Sequence, residues 1–207
     1  MFIVIEGGEG AGKSSLAEAL HKQFVVVQNK KVFRTREPGG SKLGELLRDF
    51  ILDPSKSCLS TYSELFLFLA MRAQHIEEKI LPALQNGYLV LCERFHDSTI
   101  VYQGIAEQLG ASFVADLCYK VQGLKPFLPD LILLLDIPAE IGLQRKQQQK
   151  SLDKFEQKPL SYHHAIRQGF LALAKAHPSR YLILNACQAL TSSVDQVMKR
   201  IGLNLCK

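Results

Sequence analysis

The first fifteen residues of the chain contain the residue types that bind phosphate, at the spacing that this chemistry needs. Residues 7–14 read Gly-Gly-Glu-Gly-Ala-Gly-Lys-Ser and follow the pattern G-x-x-x-x-G-K-[ST]. Glycines permit positive φ, so that successive backbone N–H groups can converge on one anion. Lys13 adds a mobile positive charge, and Ser14 adds a hydroxyl that can hold Mg²⁺ between phosphates. The pattern predicts a nucleoside triphosphate site formed by Gly7, Gly8, Glu9, Gly10, Ala11, Gly12, Lys13, Ser14 and Ser15.

The segments on either side of this loop have the patterns of a strand and a helix. Residues 2–5 form a short apolar run, and residues 15–22 read as a helix whose N-terminal dipole would point at the same anion. A strand, a glycine loop and a helix in this order are the context that the motif requires. This context favours a phosphate site over a glycine turn that happens to precede a lysine.

Strands and helices alternate along the rest of the chain. Further strands are predicted at residues 31–35, 88–92, 131–135 and 180–184. Helices are predicted at residues 43–51, 63–84, 99–122 with a possible break at Gly110, 139–149, 162–175 and 193–201. Continuous apolar strands are typical of a parallel sheet covered on both faces. The sequence therefore predicts an α/β, three-layer P-loop NTPase fold in one domain, residues 1–207, with a five-stranded parallel sheet, helices on both faces and a short lid.

Two segments carry more specific expectations about burial. Residues 65–71 are apolar nearly all round the helix, so this helix is predicted to be buried on most sides. Residues 146–158 are polar and have little to bury, so they are predicted to form a mobile flap. Polar residues follow the predicted strands at Arg36, Glu93 and Asp136, where ligands of such sheets bind.

Composition and apolar patterning give no sign of a membrane protein or of a secreted one. The net charge of +5 over 207 residues is mild, and no stretch is long and apolar enough for a membrane helix or a signal peptide. The five cysteines form no C-x-x-C pair and are expected to be reduced thiols in a cytoplasmic protein, with Cys92 and Cys118 in the core. The histidines show no metal-binding spacing.

The function classes that use such a loop can be separated by what else the chain carries. A GTPase would normally contain Asn-Lys-x-Asp, which is absent, and a DNA-acting ATPase would usually be larger, with a basic or aromatic path for a single strand. No nucleic-acid partner is therefore expected. Several separate arginine and acid pairs joined to a phosphate loop indicate instead a phosphoryl transferase, which must hold two phosphate groups end to end.

Five segments together resemble the motifs of one family, the thymidylate kinases. Besides the glycine loop, residues 93–104 (Glu-Arg-Phe-His-Asp-Ser-Thr-Ile-Val-Tyr-Gln-Gly) are similar to the family's Asp-Arg-aromatic segment, which continues Ser-x-x-x-Tyr-Gln-Gly in many bacteria. Residues 36–40 resemble its post-strand loop, residues 68–72 its Phe-x-x-x-Arg helix and residues 152–156 its lid signature Leu-Asp-Arg-x-Glu. The motifs span nearly the whole chain in the expected order.

The resemblance implies transfer of the γ-phosphate of ATP to dTMP, with Mg²⁺, by a homodimer. Phe68 would stack on thymine, and Arg72, on the same helix face, would donate to its O4. Arg36 and Arg94 would grip the acceptor phosphate, since a planar guanidinium suits two phosphate oxygens. Glu9 would contact the 3′-hydroxyl. The implied acceptor-binding residues are Glu9, Arg36, Phe68, Arg72, Arg94, Ser98, Thr99, Tyr102 and Gln103, with Tyr102 against the sugar, where it disfavours a 2′-hydroxyl.

The chain departs from the family pattern at the metal site and in the lid, about residues 144–158. Glu93, implied with Ser14 to lie at the metal, stands where the family usually has aspartate. No arginine lies between Gly7 and Lys13, and residues 147–149 are glutamines where lid arginines are common. Arg145 is thus expected to neutralise the negative charge of the transferred phosphoryl group, with help from Lys146, Lys150 and Lys154. The implied catalytic residues are Lys13, Glu93, Arg94 and Arg145.

Two alternatives stay open at this point. A related nucleotide or nucleoside kinase with another acceptor would share most of these motifs. A nucleotide-binding regulatory protein whose lid no longer acts would share them too. The small number of arginines in the lid keeps that alternative open. For the homodimer, residues 43–51 and 65–69 offer candidate surfaces. Residues 185–188 match the family's segment that lies along the edge of the adenine ring.

Overall fold

The central element is a parallel sheet of five strands in the order β2-β3-β1-β4-β5. The computed structural model describes residues 1–55, 59–123, 127–148 and 152–202. The strands are β1 (Phe2–Gly7), β2 (Val32–Arg36), β3 (Leu89–Glu93), β4 (Leu131–Asp136) and β5 (Tyr181–Asn185). Both neighbours of β1, β3 and β4, run parallel to it. The predicted five-stranded parallel sheet is confirmed, with each predicted strand within two residues of its observed bounds.

Helices occupy the connections between the strands. They are α1 (Lys13–Lys22), α2 (Lys42–Leu52), α3 (Thr61–His75), α4 (Leu81–Gln85), α5 (His96–Thr99), α6 (Ala111–Lys120), α7 (Ala139–Gln147), α8 (Leu160–Ala176) and α9 (Leu190–Arg200). Short π-helical segments at Gln23–Val27, Ile76–Ile80 and Ile100–Ala106 extend or join several of them. The expected break near Gly110 is observed, because α6 begins at Ala111.

The sheet is buried on both faces by two separate layers of helices. Alternate residues of β1 point to opposite faces, as the pleat of a strand requires. Phe2 and Val4 pack in the cluster that contains Phe170 of α8. Ile3 and Ile5 pack in the cluster that contains Leu16 of α1. This two-sided burial explains why the strands are continuous apolar runs.

The expectation that α3 is buried on most sides is wrong on one face. Leu65, Leu69 and Met71 are buried, but Phe66 is 54% exposed and Ala70 is exposed. The apolar pattern of this helix therefore covers two different faces, of which only one packs in the core of the chain.

The expectation that residues 146–158 have little to bury is wrong at two positions. Phe155 and Glu156 are buried, and Phe155 packs in the same cluster as Tyr102. A single aromatic side chain is enough to attach this polar segment to the body of the protein. Lys150 and Gln149, which belong to the predicted lid, lie outside the described residues.

The prediction that Cys92 and Cys118 lie in the core is confirmed. Cys92 and Cys118 are fully buried, and both are free thiols, as is the exposed Cys187. Among residues 1–55, 59–123, 127–148 and 152–202, no helix is both long and apolar enough to span a membrane.

Candidate active site

A cavity of about 730 Å³ opens at the carboxyl ends of the central strands. Its wall combines the loop after β1, the ends of β2 and β3, one face of α3, the α5 region and the start of the lid. The residues predicted for catalysis, cofactor binding, acceptor binding and the metal all line this cavity except Gly7 and Gly8. Because the carboxyl ends of parallel strands meet at one edge, residues far apart in sequence converge there.

The glycine loop turns tightly against α7 before α1 begins. Gly10 has φ +67°, and a Cβ atom there would come 2.0 Å from the carbonyl oxygen of Gly142. Lys13 Nζ donates to the carbonyl oxygens of Gly7, at 3.0 Å, and Gly8, at 2.6 Å. Burial and the nearby charge of Arg94 lower the pKa of Lys13 to about 7. An anion bound in the loop would counter both effects and keep the ammonium charged.

Ser14 and Glu93 meet where a metal ion is predicted. Ser14 Oγ donates to Glu93 Oε2 at 2.5 Å, and Arg34 Nη2 donates to Glu93 Oε1 at 3.0 Å. A hydroxyl and a carboxylate are hard oxygen ligands of the kind Mg²⁺ prefers, usually together with water and substrate phosphates. These residues fit the metal. No group of three or more His, Cys, Asp or Glu able to hold a metal ion occurs in the described ranges of the chain.

Arg94, Glu9 and Tyr102 form a tight cluster beside the glycine loop. Arg94 lies in the left-handed region at φ +66° and donates to Glu9 Oε1 at 2.7 Å and to Ser98 Oγ at 3.1 Å. The Tyr102 hydroxyl donates to the same Glu9 oxygen at 2.6 Å. Burial alone would raise the pKa of Glu9, but the charges of Arg94 and Lys13 lower it to about 2. The carboxylate is thus ionised at neutral pH and oriented by its neighbours.

Arg72 is buried and held in a network that the sequence did not reveal. Its Nε donates to Glu37 Oε2 at 2.7 Å, and its Nη2 donates to the carbonyl oxygen of Phe95 at 2.9 Å. The other Glu37 oxygen lies 3.0 Å from His75 Nδ1, whose Nε2 lies 2.7 Å from Thr35 Oγ1. The cost of burying a guanidinium is therefore met by Glu37. The sequence places Glu37 directly after a strand, in the loop that resembles the family's post-strand loop, but gives no sign of its contact with Arg72.

An aromatic wall closes the cavity on the side of α3. The ring centroid of Phe155 lies 6.1 Å from that of Phe68 and 5.9 Å from that of Tyr102. Gln103 Nε2 donates to Glu64 Oε1 at 3.2 Å, and Lys154 forms an ion pair with the other Glu64 oxygen. Phe155 was missed by the sequence reasoning because it lies in a segment predicted to bury little.

The lid cations lie at different places. Arg145 Nη1 donates to the carbonyl oxygen of Ala186 at 3.1 Å, next to the segment predicted to edge adenine, and to that of Gly10 at 3.4 Å. Lys146 Nζ lies 2.8 Å from Glu156 Oε1 and lines the cavity. Lys154 is engaged with Glu64 and does not line it. The phosphoryl-neutralising role of these residues stays a prediction.

Arg48 is a further cavity residue that sequence reasoning missed. It lies on α2, donates to the carbonyl oxygen of Pro38 and lines the cavity with Arg36 and Arg94. Burial, together with the positive charges of Arg36 and Arg94, lowers the pKa of Arg48. Three guanidinium groups close enough to repel one another are typical of an anion site. The signal was an arginine on the amphipathic helix between Leu47 and Ile51.

Comparison with known proteins gives one consistent result. The family model for thymidylate kinase matches residues 5–201. A thymidylate kinase of Chlamydia pneumoniae is 67% identical over 206 residues, covering 100% of both chains. A thymidylate kinase of Chlamydia trachomatis serovar L2 (strain ATCC VR-902B / DSM 19102 / 434/Bu) is 58% identical over 201 residues, covering 97% of this chain and 98% of that one.

A solved structure indicates the same family as the sequence comparisons. The crystal structure of thymidylate kinase from Ehrlichia chaffeensis superposes with a TM-score of 0.77 at 29% identity, covering 97% of this chain and 98% of that one. The chain belongs to the thymidylate kinase family.

Proposed function

We propose that this chain is an ATP:dTMP phosphotransferase that produces dTDP and ADP, a step of dTTP biosynthesis. Membership of the family supports the reaction, and one observation carries the assignment of the site. The Glu9–Arg94–Tyr102 cluster opens into the same cavity as the glycine loop. An acceptor nucleotide held by this cluster would lie next to a triphosphate held by the loop.

The donor end of the cavity suits MgATP. The loop N–H groups and Lys13 would bind its phosphates, while Ser14, with Glu93 behind it, would hold Mg²⁺. When bound there, Mg²⁺ would supply neutralisation of phosphate charge. The lowered pKa of Lys13 matches a cation that reaches full charge when an anion binds.

The acceptor end suits a deoxynucleoside monophosphate. Arg36, Arg48 and Arg94 would bind its phosphate, since all three line one region of the cavity. Glu9 and Tyr102 would lie at the sugar. The predicted base contacts, Phe68 and Arg72, line the same cavity on α3, with Ser98, Thr99 and Gln103 nearby.

The chain needs no strong general base for this reaction. The attacking oxygen of dTMP is already anionic, so catalysis consists of positioning two phosphates and neutralising charge. Lys13 would hold the phosphates of ATP, and Arg94 would hold the phosphate of dTMP. Arg145, with Lys146 and Lys154, would bring the remaining charge when the lid residues contact the nucleotide, and Lys150 keeps the same proposed role.

Replacing the loop lysine tests this mechanism. We expect Lys13→Ala to fold as the parent does and to lose turnover by at least about 100-fold, the scale of removing one preorganised charge from a transition state. The measurement is ADP release coupled to an indicator reaction, with a circular dichroism melt as the folding control. Turnover close to that of the parent would contradict the mechanism.

We also propose that the chain forms a homodimer through an apolar patch on α2, α3 and α6. This patch consists of Leu46, Phe50, Tyr62, Phe66 and Phe113, all of which are exposed. The rings of Tyr62 and Phe113 lie 6.3 Å apart, so the patch is continuous between α3 and α6. Exposed apolar clusters of this kind mark protein interfaces.

The cysteines support a cytoplasmic location for the protein, since those that the structure describes are scattered free thiols.

A further inference from the structure

Arg34 is a charged residue of the cavity wall that the functional account above leaves without a role. We propose that Arg34 is a positioning residue for the Mg²⁺ site, where it fixes the orientation of the Glu93 carboxylate toward Ser14. This proposal rests on the proposed MgATP site, and it concerns how the protein holds that site rather than which acceptor is used.

The guanidinium of Arg34 joins three parts of the fold. Its Nη2 donates to Glu93 Oε1, at the end of β3, at 3.0 Å and to the carbonyl oxygen of Ser14 at 3.3 Å. Its Nη1 donates to Glu18 Oε2 on α1 at 2.5 Å. Arg34 itself lies on β2, paired with Leu91 in the sheet. One planar fork therefore ties β2, β3 and the first turns of α1 to one another.

The two oxygens of Glu93 are assigned to different partners by this contact. Arg34 occupies Oε1, which leaves Oε2 to accept the hydrogen bond from Ser14 Oγ at 2.5 Å. A glutamate side chain has three rotatable bonds, and fixing them costs conformational entropy. With Arg34 in place, that ordering is complete before nucleotide and metal arrive. Second-sphere partners of metal ligands commonly change metal affinity or activity 10–100-fold.

Stability is not the main consequence of this contact. The Arg34 side chain is 30% exposed and that of Glu93 12% exposed, so water screens the ion pair. Next to the Ser14 hydroxyl, however, the same pair controls the position of the Glu93 carboxylate, which accepts a hydrogen bond from that hydroxyl. A positive charge near the site would by itself repel Mg²⁺, so a pure charge effect and a positioning effect have opposite signs.

That difference in sign gives a direct test by nucleotide binding rather than turnover. The dissociation constant of AMP-PNP is measured by calorimetry in saturating Mg²⁺ and again in EDTA, for the parent and for Arg34→Met. We expect the ratio of the two constants, which measures the gain from the metal, to shrink about 10-fold or more in Arg34→Met. The constant in EDTA should change by less than about twofold, because the loop is intact.

Matched variants separate positioning from general damage. Glu18→Gln removes the partner of Arg34 on the side away from Glu93 and should keep most of the metal-dependent gain. Arg200→Met removes a surface arginine that donates to the Ser179 carbonyl and should change nothing. Arg34→Lys keeps the charge without the fork and should fall between the parent and Arg34→Met.

An unchanged or larger gain from Mg²⁺ in Arg34→Met would overturn the proposal, as would an equal loss of affinity in EDTA. A parent protein whose AMP-PNP affinity does not depend on Mg²⁺ would overturn it as well. Failure of the proposed kinase activity would appear separately, as absence of dTMP-dependent ADP release in the parent, without changing these binding constants.

Discussion

Glu6 and Glu9 are three residues apart, yet their environments shift their pKa values in opposite directions. Glu9 faces Arg94 and Lys13, which lower its pKa to about 2. Glu6 is fully buried, and burial, assisted by the charge of Asp97, raises its pKa to about 7 against the opposing effects of Arg94 and Ser98. Glu9 therefore keeps its charge at every pH at which the enzyme would work, whereas Glu6 titrates near neutrality.

The Glu6 carboxyl anchors the loop that carries Arg94. It accepts hydrogen bonds from the Phe95 N–H at 2.8 Å and from Ser98 Oγ at 2.6 Å. Arg94 immediately precedes Phe95 and holds an uncommon left-handed conformation, so a fixed partner for the next residue limits its movement. At the residue scale, Arg94, which is proposed to bind the acceptor phosphate, is placed by a buried acid of β1.

The raised pKa of Glu6 predicts a specific dependence of stability on pH. The folded protein holds the Glu6 proton more tightly than the unfolded chain, so the stabilisation is complete below pH 4.5 and is lost as pH rises through about 7. Glu6→Gln mimics the protonated acid and removes this dependence. We expect the free energy of unfolding of Glu6→Gln, relative to the parent, to rise by about 2–3 kcal/mol from pH 5 to pH 8. Urea unfolding at several pH values measures it, and parallel curves for the two proteins would refute the assignment.

At the scale of elements, the glycine loop and α7 touch backbone to backbone. A Cβ on Gly10 would meet the Gly142 carbonyl oxygen at 2.0 Å, and a Cβ on Gly142 would meet that of Glu9 at 2.3 Å. Two glycines thus let the phosphate loop pack directly on the helix that begins the lid. A shift of α7 would be transmitted to the glycine loop, so the proposed lid and the proposed phosphate site share this contact.

Gly10→Ala should damage this contact, and Gly8→Ala should not. The alanine at residue 10 would need both a left-handed backbone, at about 1–2 kcal/mol, and a displaced α7. We expect a lower melting temperature and a KM for ATP raised at least about 10-fold. Gly8 has open space around its Cβ position and is the matched control. Equal KM values for ATP in the two variants would show that the packing of α7 has no part in binding.

At the scale of the whole molecule, the exposed patch on α2, α3 and α6 predicts the oligomeric state. Phe66→Lys places a charge within the patch and should convert a dimer into a monomer in sedimentation velocity. Val26→Lys is the control, since Val26 is 79% exposed but lies outside the patch. A parent protein that sediments as a monomer, or a Phe66→Lys variant that stays dimeric, would show that this patch is not the interface.

The sheet could be predicted from sequence because its strands are continuous apolar runs and its first loop has a defined motif. Residues directly after parallel strands meet at one edge, so topology places Arg36 and Glu93 in the cavity wall. The contributions of α3 and of residues 98–103 were expected only from the resemblance to thymidylate kinases. Periodicity could not show which face of α3 is covered, so the exposure of Phe66 was missed. Composition could not show that one aromatic residue, Phe155, docks a polar segment. Arg34, Glu37 and Arg48 depend on side-chain contacts between distant elements, which no local pattern records.

The acceptor preference of the parent protein tests the central claim most directly. ADP release is measured with MgATP and, in separate reactions, dTMP, dUMP, dCMP, dGMP and thymidine, each over a range of concentrations. The account predicts the highest kcat/KM with dTMP. A higher kcat/KM with another acceptor would contradict the assignment of substrate, and tight dTMP binding without ADP release would show a nucleotide-binding regulatory protein instead of a kinase.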